Sequence, residues 1–428
     1  MANRLNLERL NLERAGELLY NTKEAEVPEK GRRPNPNSRY KIKLHRYKPM
    51  IKSIKTFLRR IFYSLIYILY KARFSVMFAK AFRKKGELAY LPKDDRGVWK
   101  RSMCEMVKEY WVKGHYGFRR RKIVFSFCKS HFEVIKRTEP GDKNVPIVAL
   151  CVKNDVRRVR MLVEHYRELG VTKFAIMDNG SDDGTFEWLS DQPDVDLYRC
   201  SAQYQTNVKE GWINRLISYY GFGRWYIVTD SDELAVYPGM EEMPLPELTA
   251  RLENAGVKRV KAITLDTYSD KPLFEESADI KNDFRWIDSD SYQEKTANAG
   301  IYKIKRFIGG PRLRLMNSGV PLEKYPLVYW EQGTVSDDAH HQFPHDLINN
   351  APCFMGVLHY KFIAADIEEY KKRASNDSTF AGNGAFYREY MNYYNEQKEK
   401  SLMYEGSVEF TSSGALNKIP VIDWRLPD

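Results

Sequence analysis

Residues 226–233 read YIVTDSDE, an apolar run that ends in three acids, Asp230, Asp232 and Glu233. Such a run predicts a buried strand whose carboxylates emerge at its C-terminal edge. In an open α/β sheet, that edge is where ligands bind. Clustered carboxylates repel one another unless a cation sits among them, and hard Mg²⁺ or Mn²⁺ suits them. A D-x-D triplet alone is also found in solvated turns. What distinguishes this one is the strand before it and the chain upstream.

Residues 147–152 (IVALCV) are a second apolar, β-branched run, followed by polar Lys153, Asn154 and Asp155. Val159, Leu162, Val163, Tyr166 and Leu169 then recur at helical spacing, and Gly170 can cap the helix end. Residues 173–177 predict another strand, which runs into the turn-rich loop DNGSDDGT at 178–185. A strand at 195–198 follows, then a helix with Trp212, Ile213, Leu216, Ile217 and Tyr220 on one face. Strands alternating with helices predict an α/β fold, a Rossmann-like mixed sheet flanked by helices.

The stretch VKND…LGVTKFAIMDNGSDDGT…YIVTDSDE resembles the nucleotide-binding half of family-2-type GT-A glycosyltransferases, most specifically in the eight-residue loop 178–185. Gly309–Arg314 (GGPRLR), residues 324–328 (KYPLV) and residues 358–362 (LHYKF) resemble a bacterial branch of that family. The similarity covers roughly residues 145–372. It implies a nucleotide-facing set of Asn154, Asp155, Asp178, Asn179, Asp230 and Ser231, with Asp178 accepting from a uracil ring. It implies metal ligation by Asp230, Asp232 and His359, and places Lys361 near the diphosphate. A GT-A enzyme of this kind would use a nucleotide sugar, a UDP-sugar for preference, with Mn²⁺ or Mg²⁺. A metal and a cation stabilise the charge that builds on the leaving diphosphate without proton transfer.

The 428 residues suffice for one large domain plus additions, and a hydrophobic fraction of 43 % is ordinary for a folded protein. Five scattered cysteines, with no C-x-x-C, indicate neither a disulfide framework nor a zinc site. Reduced thiols and no cleavable signal are expected. Residues 39–85 hold 15 Lys and Arg and no acid, so they account for the whole net charge of +12. Within them, residues 61–70 (IFYSLIYILY) are apolar and flanked by Arg59, Arg60 and Lys71. Ten apolar residues are too few to cross a bilayer, which needs about 20. The pattern predicts a helix lying in an anionic interface, with Ile61, Phe62, Leu65, Ile66 and Leu69 inserted and the cations at headgroup level. A helical hairpin packed on the catalytic domain, or pairing two chains, is the competing reading. The unbroken apolar decad argues against a nucleic-acid arm.

Residues 1–140 therefore form a basic, mainly helical region, with the amphipathic segment at about 39–86. The resemblance implies a GT-A domain at 145–365, with 366–428 expected as a helical extension or lid. In the acceptor half, Arg312 and Arg314 alternate, which would project both from one face of a strand toward a phosphate or an acidic acceptor. Tyr268, Trp286 and Trp330 are candidate sugar platforms. An inverting enzyme needs a carboxylate base. Asp266, Glu323, Glu331 and Asp338 are candidates, with Asp266, at a strand end, and Glu331 carried forward. His340, His341 and His345 read as loop residues. The expected function is a metal-dependent, inverting glycosyltransferase acting on a membrane-linked glycan or glycolipid at the cytoplasmic face of the cell membrane, bound peripherally, in surface polysaccharide synthesis. A silent GT-A-like scaffold docking through its basic arm is the alternative. A nucleotidyltransferase would need a Gly-rich, lysine-bearing loop that VALCVKND lacks.

Overall fold

The computed structural model describes residues 132–427, apart from 203, 205, 300–301, 332–333, 337–340, 344–350 and 376–383. The amphipathic segment, with Arg59 to Lys71, lies outside the described residues, as do Asp338, His340 and His345. Among the described residues no helix is long and apolar enough to cross a membrane.

Strand β1 (Glu133–Lys136) leads to β2 (Ile147–Val152), helix α1 (Val156–Glu168), β3 (Phe174–Asp178), α2 (Thr185–Asp191), β4 (Val195–Arg199), α3 (Thr206–Tyr220) and β5 (Arg224–Val228). After the D-x-D turn come β6 (Glu233–Val236), α4 (Leu245–Asn254), β7 (Lys261–Asp266), α5 (Ile280–Asp283) and β8 (Trp286–Asp288). The antiparallel pair β9 (Gln293–Ala299) and β10 (Tyr302–Ile308) precedes α6 (Gly310–Met316). Then follow β11 (Glu323–Lys324), β12 (Leu327–Trp330), β13 (Val335–Ser336), β14 (Gln342–Phe343), β15 (Cys353–His359), α7 (Ile367–Ser375), α8 (Ala385–Gln397) and β16 (Ser407–Glu409).

The larger sheet has the order β1-β4-β3-β2-β5-β12. Its four central strands are parallel and its two edges antiparallel. Helices cover both faces, so Val148, Leu150, Ala175, Ile176 and Ile227 are wholly buried, as the apolar runs require. On α1 the predicted stripe Val159, Leu162, Val163 and Tyr166 is fully buried. Gly170 ends the helix at φ +84°, a conformation open to glycine, with its amide on Arg167 O at 3.0 Å. The α/β, Rossmann-like mixed sheet flanked by helices is thus the observed fold. A second sheet, β11-β7-β15-β6, packs beside it.

Three expectations change. The sheet begins at β1, before the boundary placed at 140–145, because Val134 pairs with Tyr198 across the β4 edge. The C-terminal extension is not purely helical: β16 pairs with β8, and Leu416, Ile419, Ile422 and Trp424 belong to the central core. The GGPRLRLM run is a helix, not a strand. Pro311 presets the first helical turn, and Gly309 enters it at φ +145°, where a Cβ would lie 2.5 Å from Ser291 O. Residues two apart on a helix diverge, so Arg312 and Arg314 point to different partners.

His165 on α1 is buried, with Nε2 2.8 Å from Ala235 O. Burial lowers its pKa from the usual 6.5 to about 4. The unfolded chain takes up a proton as pH falls through about 6.5, while the fold resists until about 4. Stability is therefore lost across that window, by up to about 3 kcal/mol. Urea unfolding at pH 7 and pH 4.5 should show a larger acid loss for wild type than for His165→Gln. Equal losses would contradict this assignment.

Candidate functional site

β15 lies between β6 and β7. It runs antiparallel to β6, with His359 opposite Glu233, and parallel to β7, with His359 opposite Asp266. The start of β6, directly after the D-x-D turn, thus meets the ends of β7 and β15 in one row. His359 Nδ1 is 2.7 Å from Asp266 Oδ1, and Nε2 is 3.2 Å from Asp232 Oδ2. Burial opposes a charged imidazole here, but Asp232 and Asp266 hold its proton above the ordinary histidine range. Burial would likewise raise Asp232, yet His359, Arg158 and Lys361 hold it well below the carboxylate range.

One ligand atom from each of Asp232, Glu233 and His359 lies within 4.8 Å of the others. Two carboxylates and an imidazole are a donor set that fits a divalent cation, and the nitrogen favours Mn²⁺ over Mg²⁺. The set differs from the expected one by exchanging Asp230 for Glu233. Asp230 pairs with Lys209 of α3 and lies 3.7 Å from Lys324, which also pairs with Glu233. Burial works against the Asp230 carboxylate, but these two lysines bring its pKa below the usual value.

A cleft of about 460 Å³ opens over this row, a size suited to a small ligand. Asp155, Asn179, Asp230, Ser231, Asp232, Arg312, His359 and Lys361 of the expected residues line it. Asn154, Asp178, Asp266, Arg314 and Glu331 do not. Asp178 is fully buried and accepts from Gly180 N at 3.1 Å and Ser181 N at 3.2 Å, so it shapes the 178–185 loop rather than facing the cleft. Asn154, at φ +50°, joins the loops after β2 and β3: its Nδ2 donates to Asp182 at 2.7 Å, and its Oδ1 accepts from Asp182 N at 2.9 Å. Asp155 accepts from Ser231 Oγ, which fastens the first loop to the D-x-D turn.

Neither proposed base stands free in the cleft. Asp266 is held by Arg312 Nε at 2.6 Å and by His359, and although burial opposes it, Arg312 and His359 keep its pKa low. It orients a ring instead of taking a proton. Glu331 follows β12, whose end is paired with the start of β5 through Trp330 and Arg224, so it sits at the opposite edge of the sheet, against exposed Lys258. Glu323 is buried beside Arg306 at 3.1 Å. Arg314 is bound to Asp288 through two bonds of 3.0 Å. Tyr268 and Trp330 are buried at 1 % exposure, which makes them packing residues rather than sugar platforms.

Sequence reading missed Arg158, Lys209, Lys324, Asp366 and Arg373. Arg158 on α1 donates to Asp155 at 2.7 Å, to both oxygens of Asp366 at 2.7 and 2.8 Å, and to Tyr360 O at 3.0 Å. That bidentate pair clamps the start of the C-terminal extension onto the first helix. The one available signal was an arginine inside an otherwise apolar helical stripe.

No family model matches the chain, and no curated protein matches it. A mannosyltransferase from Pyrobaculum calidifontis, solved with GDP-Man and Mn²⁺, is 17 % identical over 36 % of this chain and 45 % of its own, with a TM-score of 0.23. HddC from Yersinia pseudotuberculosis is 11 % identical over 52 % of this chain and 80 % of its own, with a TM-score of 0.22. The chain spans less than half the length of the mannosyltransferase. Neither likeness sets a function for this chain at such scores, and the site's own chemistry carries that conclusion.

Removing the Arg158 guanidinium leaves two buried carboxylates uncompensated. Arg158→Met should cost about 3–5 kcal/mol in chemical unfolding. The double variant with Asp366→Leu should recover part of that loss. Additive losses would show that the clamp is not a coupled unit.

Proposed function

We propose that the protein is a metal-dependent, GT-A-type glycosyltransferase that moves a sugar from a nucleotide donor to a membrane-linked glycan, with inversion. The observation that carries this reading is the in-register row that brings Asp232, Glu233 and His359 together at the floor of the cleft. UDP is the preferred nucleotide, on the loop resemblance at 178–185. The sequence pattern at 39–86, basic with an apolar decad, supports a peripheral site of action at the cytoplasmic face of the cell membrane, with a lipid-anchored acceptor.

When bound, a divalent cation would take up charge developing on the leaving diphosphate. The chain's residues prepare for it. Asp266 accepts from His359 Nδ1 and so directs Nε2 at Asp232. Lys209 and Lys324 offset the charge of Asp230 and Glu233. Asn179, tied by its Nδ2 to Cys200 O at 2.7 Å, and Asp155 line the nucleotide side.

The test is release of nucleotide from a panel of UDP-, GDP- and CMP-sugars by the full chain, with and without Mn²⁺. Slow, metal-dependent release of UDP is expected. Asp232→Asn should lose about 10²–10³-fold, and Asp266→Asn about 10–100-fold through misorientation of His359. Absence of both release and metal-dependent nucleotide binding would refute the reading.

A further inference from the structure

The last wall of the cleft comes from the C-terminal helices. Lys361, two residues beyond His359, is ringed by Tyr370, Tyr387 and Tyr390 at 5.1, 5.4 and 5.6 Å from their ring centroids. Among the described residues no carboxylate lies within ion-pair distance of its ammonium. Arg373 of α7 donates to the Tyr387 hydroxyl at 2.8 Å and lies over its ring at 5.3 Å. Its Nε pairs with half-exposed Glu369 at 2.8 Å. Burial alone would raise the Tyr387 hydroxyl, but Lys361 and Arg373 draw it below the ordinary phenol value, a sign of positive potential. Lys361, Arg373, Phe386, Tyr387 and Tyr390 all line the same cleft as the metal-ligand row.

Two cations in an aromatic setting have a specific chemical use. Guanidinium and ammonium together hold an oxyanion, while aromatic faces cover the C–H face of a sugar ring. The arginines expected to do this from sequence pair with wholly buried carboxylates, Arg312 with Asp266 and Arg314 with Asp288, whereas the Glu369 beside Arg373 is half-exposed. On the glycosyltransferase reading, the donor diphosphate would meet a cation held by Asp232, Glu233 and His359 instead. Resting on the glycosyltransferase reading, we propose that Lys361, Arg373 and Tyr387 form the acceptor subsite and select a sugar bearing a phosphate or a carboxylate.

Calorimetric titration of the full chain with glucose 6-phosphate, glucuronate and neutral glucose, each with and without UDP and Mn²⁺, tests this. At least one anionic sugar should bind about tenfold or more tighter than glucose. Arg373→Gln should abolish that preference, with UDP–Mn²⁺ affinity unchanged and a thermal midpoint near that of wild type. Lys361→Met supplies a second variant that should also lose the preference. The phosphate and carboxylate probes separate the two sources of charge. Glucose binding as tightly as both anionic sugars would overturn the proposal. So would parallel weakening of UDP–Mn²⁺ and sugar in Arg373→Gln, which would assign the wall to the donor. Failure of wild type to bind UDP, GDP or CMP with Mn²⁺ would overturn the glycosyltransferase reading instead, since the anionic preference is read separately without nucleotide.

Discussion

His359 opposes Glu233 on one neighbouring strand and Asp266 on the other, and the rest of the site depends on that register. Side chains directly opposite one another share a face of the sheet. A slip of one residue in β15 would turn His359 to the other face and disperse the group. Phe354, Met355, Val357 and Leu358 are buried on both faces of the strand, so a slip would exchange the space each one fills with that of a differently shaped neighbour. Gly356 tightens the register further: a Cβ there would lie 3.0 Å from both Leu265 and Val236 on the flanking strands. Apolar packing along the strand thus positions the polar chemistry at its end.

Around this row the charges are arranged in compensating pairs. Asp230 and Glu233 lean on lysines from α3 and β11, Asp266 leans on Arg312, and Asp366 on Arg158. A buried ion that loses its partner is expensive, so these pairs stabilise the acids together. The C-terminal extension belongs to the same arrangement, because the Arg158–Asp366 clamp joins it to α1 and to Asp155 after β2.

Much of the fold was legible because burial leaves a local mark. The apolar runs at β2, β3 and β5 and the stripes on α1 and α3 carry their own periodicity. The D-x-D turn and His359 were found by position after such runs. What failed was non-local. Arg312 and Arg314 alternate like strand residues, and only the Gly309–Pro311 turn chemistry reveals a helix. Glu233 is absent from the expected metal ligands, and only its register with His359 groups it with Asp232. Asp178 carries the loop's most specific signature, yet its carboxylate is held by the loop's own amides and by Arg199 at 3.4 Å. Lys209 and Lys324 come from distant segments, so nothing local in sequence ties them to Asp230. Glu331 was a poor candidate base because β12 runs antiparallel, a direction that sequence alone does not give.

The most direct test is electron spin-echo spectroscopy of the protein titrated with Mn²⁺. The register predicts one tight Mn²⁺ whose echo modulation carries a ¹⁴N coupling from the His359 ring, absent in His359→Gln. Bound Mn²⁺ without nitrogen coupling, or a coupling that survives the substitution, would contradict the claim that the three strands build one metal centre.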